Sequence, residues 1–162
     1  MNFRNLVLTF SIVSIAFFSC DNTPKNQELE NYVFNVIPDL MKEELALVKE
    51  FNQISPNDML KNKNGDRIIS NIIIPNYKKF IGKLDTVTIK DPELKKIHAK
   101  YIEASYLQLD YYDYFLANLR NNFSKPVDSL NTKTDLQRAV NKEWGKLLND
   151  MCQKYGVDYL QE

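Results

Sequence analysis

Glycine is scarce in this 162-residue sequence, with four residues, and cysteine (two), histidine (one) and tryptophan (one) are scarcer still. The few glycines, and the lack of alternating β-branched and polar runs, argue against the turn-rich hairpins of an all-β domain. A single histidine excludes the paired Glu-x-x-His motifs of di-iron bundles. Three residues before His98 stands Lys95 where the glutamate would be, and the usual zinc sites also need more than one imidazole or thiolate. Two cysteines, Cys20 and Cys152, cannot form a disulfide framework. Charge of one sign is missing too: 21 basic residues balance 21 acidic ones, which leaves no field for nucleic acid or for a polybasic membrane patch. No P-loop, Gly-x-Gly-x-x-Gly, Gly-x-Ser-x-Gly or Cys-x-x-Cys-His motif occurs. The expectation is a chain without metal, cofactor or nucleic-acid partner, and more a binding protein than an enzyme.

What the sequence has begins at residues 1–20, MNFRNLVLTFSIVSIAFFSC. Arg4 precedes an uncharged stretch from Leu6 to Phe18 that, as a helix, would rise about 20 Å, short of the ~30 Å hydrocarbon core of a bilayer. A basic start, a short apolar run and a small residue at its end form the pattern of a secretory signal. Phe17-Phe18-Ser19-Cys20 resembles the lipobox of bacterial lipoproteins, in which a small residue directly precedes the cysteine that receives diacylglycerol. Ser19 and Cys20 fit that pattern, while Phe17 and Phe18 stand where it usually has leucine and a small residue. The resemblance implies a signal peptide over 1–19, lipid attachment at Cys20, and a place in the bacterial cell envelope, membrane-anchored and facing the periplasm or the cell surface. Asp21 resembles both an inner-membrane retention signal and the acidic surface-export signals of other bacteria, so the leaflet stays open. Residues 20–28 are polar and contain Pro24, which reads as a lipidated tether ahead of a domain over 29–162. Without Arg4 the charge balance is 20 to 21.

The remaining chain is long enough for one core, and its apolar residues recur at helical spacing in four segments. The first, near 27–51, carries Leu29, Val33, Val36, Leu40, Leu47 and Phe51, widened by Ile37, Met41 and Val48, and Pro38 demands a kink or a restart. Asn52 to Gly65 is a connection, with Asn64-Gly65 as its turn. The second segment, near 66–87, carries Ile69, Ile73, Tyr77, Phe80, Leu84 and Val87, with Pro75 as a second kink. The third opens on Asp91-Pro92-Glu93, an N-cap followed by proline at the first helical position, and continues to about Asn121. The fourth starts near Thr134, where Gln137 would complete a capping box, buries Leu136, Val140, Trp144, Leu147, Met151 and Tyr155, and stops at Gly156. An all-α antiparallel four-helix bundle follows; the alternative is a three-helix bundle with a separate N-terminal helix.

Candidate sites are few. Cys152 lies next to a core stripe and reads as a buried, inert thiol. Carboxylates such as Glu44, Glu103, Asp110, Asp113 and Glu143 read as the solvated faces of the helices. On the third segment Leu94, His98, Tyr101, Ser105, Tyr112, Phe115 and Leu119 share the core face. A second apolar stripe, Leu107, Tyr111 and Tyr114, lies to one side, either as more core against a second neighbour or as an exposed anchor for a protein partner. The functional expectation is a lipid-anchored envelope module that binds a protein partner through Leu107, Tyr111 and Tyr114, as an adaptor, an assembly factor, or an inhibitor or immunity protein. The alternative is a hydrolytic or small-ligand-binding bundle using His98, Tyr101 and Tyr112. Asp85-Thr86-Val87 and Asp128-Ser129-Leu130 resemble envelope O-glycosylation sites and read equally as turn and cap chemistry. Replacing Cys20 with Ala should abolish acyl labelling and leave unprocessed precursor, checked by radiolabelled palmitate and membrane fractionation; normal processing of that variant would refute the anchor.

Overall fold

The computed structural model describes residues 24–54, 64–121 and 127–159. The expected signal peptide and Cys20 lie outside them. The described chain is all helix, arranged as four rods. Rod 1 consists of α1 (Pro24–Asn31), a π-helical turn (Tyr32–Val36) and α2 (Ile37–Asn52). Rod 2 repeats that plan with α3 (Asn64–Ile68), a π-helical turn (Ile69–Ile73) and α4 (Ile74–Thr86). Rod 3 is α5 (Pro92–Arg120) and rod 4 is α6 (Val127–Tyr155). Among the described residues no helix is long and apolar enough to cross a membrane.

The two prolines explain the shared plan. A proline in a helix has no N–H to donate and crowds the preceding turn. In rod 1 the strain is taken up one residue earlier, where the N–H of Ile37 reaches back five residues to the carbonyl of Tyr32. Rod 2 does the same, the N–H of Ile74 pairing with the carbonyl of Ile69 ahead of Pro75. Each expected kink is therefore a widened turn within a continuous rod. Rod 1 is not a separate N-terminal helix.

Contacts between the rods fix their directions. Glu28 meets the start of rod 3 and Phe51 meets Tyr111, Tyr112 and Phe115 further along it, so rods 1 and 3 run parallel. Rod 2 runs against both: its start reaches the end of rod 3 through Asp66 and Arg120 (2.7 Å), and its end reaches Glu43 through Lys83 (2.7 Å). Rod 4 runs against rod 3, with Lys133 on Asp110, Glu143 on Lys100 (3.4 Å) and Lys154 on Glu93 (2.8 Å). The core combines the expected apolar faces, with Leu29, Ile69, Ile73, Tyr77, Phe80, Leu84, Leu94, Tyr112 and Leu148 almost wholly buried.

Several boundaries depart from the sequence reading. Helix begins at Pro24 rather than near Gln27, because that stretch finds partners on the bundle. Lys25 pairs with the buried Asp91 (3.3 Å), Asn26 donates to the carbonyl of Tyr155 (3.3 Å), and Glu28 accepts from the backbone N–H groups of Lys90 and Asp91 (2.7 and 2.9 Å). Asn64-Gly65 is the first turn of a helix, not a loop turn, and Gly65 is buried there. Rod 4 starts at Val127, seven residues before the proposed cap; Thr134 lies inside the helix and its hydroxyl donates back to the carbonyl of Leu130 (3.0 Å), which satisfies it without a helix end. Asp128-Ser129-Leu130 thus falls within helix. Leu136 and Leu147 are 52% and 37% exposed, and Leu148 is buried in place of Leu147. Met41, expected to widen the core stripe of rod 1, is 43% exposed.

Other end signals hold. Asp91 caps rod 3, its Oδ1 accepting from the N–H groups of Glu93 (2.8 Å) and Leu94 (2.9 Å). The Leu94 N–H above all, helped by Lys25 and the Glu93 N–H, holds its carboxyl below the usual carboxylate range against the opposing effect of burial. Gly156 has φ +67°, and the N–H of Val157 returns to the carbonyl of Cys152 (2.9 Å), closing the Schellman turn. A Cβ added at Gly156 would meet nothing within 4 Å, so only the backbone conformation resists a side chain there. Gly156→Ala should cost about 1 kcal/mol, read as a lowered denaturation midpoint at unchanged slope in urea.

Candidate functional site: a groove between the first and last rods

Two polar ties hold rods 1, 2 and 3 together. In the first, His98 Nε2 lies 2.9 Å from the carbonyl of Leu84, an acceptor only, so the proton sits on Nε2. Nδ1 then accepts from the Tyr32 hydroxyl (2.9 Å), whose ring meets the imidazole edge-on at 5.6 Å. Both ring nitrogens are satisfied by the neutral form, and burial pushes the His98 pKa below its ordinary 6.5. In the second tie, Glu44 of rod 1 accepts from Tyr77 of rod 2 and, at 2.7 Å, from Tyr101 of rod 3. Burial first, and then the charge of Glu44, push both phenols far above the usual tyrosine range, so they act as donors and not as bases.

The residues of the ligand-site alternative do not meet. His98 borders a small cavity with Leu84, Asp85 and Ile102. Tyr101 faces a different cavity, and Tyr112 a third beside Phe51 and Gln108. The Tyr112 hydroxyl is buried, with Gln108 beside it. Cys152 is buried and its thiol is pushed up to about 11 by burial, which leaves it protonated and inert. Of the carboxylates, Glu103 and Glu143 share Lys100, and Asp110 holds Lys133.

Nor is the Leu107, Tyr111 and Tyr114 stripe a free face. All three are half-buried. Tyr111 packs against Phe51 and Phe115 at ring separations of 5.9 and 6.1 Å, and Tyr114 lies beneath Lys133 of rod 4 at 5.2 Å. The long third rod has two neighbours on this side and the stripe serves both. Tyr111 also borders an opening.

That opening is where the bundle fails to close. Rods 1 and 4 make no extended backbone approach among the described residues, and two cavities of about 910 and 310 Å³ lie in line between them. The larger is walled by Met41 and Glu44 on one side and by Asn141, Lys142, Gly145, Lys146 and Asn149 on the other. Its floor is Tyr101, stacked on Trp144 at 4.7 Å and 20°, with Tyr159 at one end. The indole of Trp144 is buried there, its N–H beside the Tyr32 hydroxyl. The smaller cavity continues the groove past Val48 and Asn52 to Tyr111, Gln137 and Arg138.

From rod 1, Met41 (43% exposed) and the half-buried Val48 line this groove, and Leu45, 68% exposed, lies between them on the same helix. Steps of four and three put Met41, Leu45 and Val48 along one side of α2. The core stripe masked this second one in the sequence, although the same spacing test that picked out Tyr111 on rod 3 would have found it. No family model matches the chain, and neither a curated protein nor a solved structure resembles it.

His98 supplies a measurable consequence. Its native pKa lies below the unfolded value, so the unfolded chain binds the extra proton first, and stability is full above about pH 6.5 and lost as pH falls through the native pKa. As the only histidine, it should give one imidazole resonance in the NMR spectrum that titrates below 6.5. A His98→Gln variant should show a flatter fall of stability between about pH 7 and 5 than the unaltered protein.

Proposed function

We propose that this chain is a lipid-anchored module of the bacterial cell envelope that binds a protein partner in the groove between rods 1 and 4. The observation that carries the reading is the groove itself. Four helices suffice to close a bundle, yet here an apolar edge of rod 1 and an aromatic floor stay open side by side. Exposed apolar side chains in a continuous line mark interaction sites on otherwise soluble domains. Met41, Leu45 and Val48 form such a line, and Tyr111 is a member of the expected partner-binding stripe that borders the groove. The small-ligand and hydrolytic reading is less well supported, since His98 borders a cavity apart from the groove that Tyr101 and Tyr112 line. The membrane address rests on Cys20 and the run before it.

The test is site-specific photocrosslinking in living cells. A crosslinking side chain at Leu45 should trap one discrete envelope protein, whereas the same group at Asp39 or Glu50, exposed on other faces of the rod, should not. Leu45→Asp should abolish that adduct and leave the melting temperature within a degree or two, because Leu45 is mostly in water already. Equal crosslinking from both faces would refute the groove as the binding surface.

A further inference from the structure

From the groove's walls and rims we infer the kind of partner: a single amphipathic α-helix with acidic flanks. The inference rests on the groove being a binding surface, as proposed above, and adds what fills it. Both walls are α-helices whose backbone groups are already paired within their own rods, so the groove offers no strand edge. A bound segment has to satisfy its own N–H and C=O groups, which an α-helix does and an extended peptide does not. The length agrees: from Thr134 to Asn149 the rod 4 wall spans about 22 Å at ~1.5 Å per residue, four turns of a docked helix. Met41, Leu45, Val48 and Asn52 follow one another at steps of four, three and four, the spacing with which helices interlock side chains. Across from them Gly145 leaves room for a close approach.

The rims decide the charge. On rod 1, Lys42 and Lys49 flank Leu45 at three residues before and four after, and both are exposed. On rod 4, Arg138, Lys142 and Lys146 repeat every four residues along the opposite wall. None of the four lysines forms an ion pair among the described residues, and Arg138 meets only Asp135 in its own helix, at 3.7 Å with both side chains exposed. The single acid in the groove, Glu44, is turned inward and held by Tyr77 and Tyr101. Three cations lining the groove, with two more exposed on rod 1 beside Leu45, favour a helix with glutamate or aspartate on both sides of its apolar stripe. A second copy is disfavoured, since seating rod 1 in another molecule's groove would set Lys42 and Lys49 against Arg138, Lys142 and Lys146.

Trp144, the only tryptophan, lines the groove and supplies the readout. The full chain in phosphatidylcholine nanodiscs is titrated with two tryptophan-free, end-capped 18-residue peptides. Both carry leucine at alternating spacings of three and four; one is flanked by glutamate, the other by lysine. The acidic peptide should shift Trp144 fluorescence at a concentration at least tenfold below the basic one, and the difference should shrink as salt is raised. The triple variant Arg138→Glu, Lys142→Glu, Lys146→Glu should reverse the preference, and Lys42→Glu with Lys49→Glu should weaken it; all five positions are exposed, so folding is spared. Equal affinity for the two peptides, no fluorescence change with either, or an unreversed preference in the triple variant would overturn the acidic-helix partner. So would a concentration-dependent dimer that Leu45→Asp dissolves, or a fluorescence change with anionic vesicles that matches the acidic peptide's. A Leu45 crosslink that persists while both peptides fail removes only this inference, and loss of groove-specific crosslinking removes the functional reading beneath it.

Discussion

Glu44 sits where three rods converge, and much of the architecture follows from its being gripped by two phenols. With Tyr77 on one side and Tyr101 on the other, a carboxylate that a helical projection would leave in water is drawn against the core. The Tyr32–His98–Leu84 chain repeats the device with a neutral ring. Both ties join rods 1, 2 and 3 by hydrogen bonds, and rod 4 meets them through the Tyr101–Trp144 stack. Buried hydrogen bonds of this kind add little net stability, but leaving any partner unpaired is expensive, so they specify the register of the three rods more than they strengthen it. Rod 4 is held differently. It lies along rod 3 by the Tyr101–Trp144 stack, by Leu148 and Met151 in the core, and by ion pairs at Lys133, Glu143 and Lys154 that are largely exposed and individually weak. A rod bound to one neighbour leaves its other flank open, and the groove is that flank.

The same asymmetry explains what could and could not be read from the sequence. Rods 2 and 3 were legible almost residue by residue, because each is packed on more than one side and a simple three-and-four stripe describes its buried face. Asp91 and Gly156 were legible because a cap and a left-handed turn are local events that tertiary packing did not override. Rod 4 was legible in existence but not in orientation. A rod with one main neighbour buries a narrow face, and the broad stripe expected from Leu136 and Leu147 overstated it. The start of that rod was misplaced because Thr134 offers the same hydroxyl to a preceding carbonyl inside a helix as to an N–H at a helix start.

The two prolines teach a related lesson. Sequence reasoning offers a kink or a break, yet both rods absorb the missing N–H by widening the preceding turn, at the cost of one extra residue. That insertion also turns the following apolar residues relative to the preceding ones. A single projection drawn through Pro38 therefore blurs two stripes into one broad face, and Met41 was assigned to the core when it belongs to the groove. The Leu107–Tyr111–Tyr114 stripe went the other way. A stripe beside the core face of a long central rod has the same signature whether water or another helix covers it, and only the position of rod 4 decides.

The buried polar groups are fixed by their surroundings rather than poised for proton transfer. The tyrosines at the two ties are held protonated, the one histidine is neutral with both nitrogens occupied, and the Cys152 thiol is buried. A group that must take or release a proton in a reaction needs access and a pKa near the working pH, and none of these has both. What remains accessible is apolar edge, aromatic floor and unpaired cation, and all three run along one side of the molecule. The start of the described chain lies against the end of rod 4, where Asn26 donates to the carbonyl of Tyr155 and the N–H of Val157 returns to Cys152, so the first and last rods are joined at that end while the groove lies open beyond it.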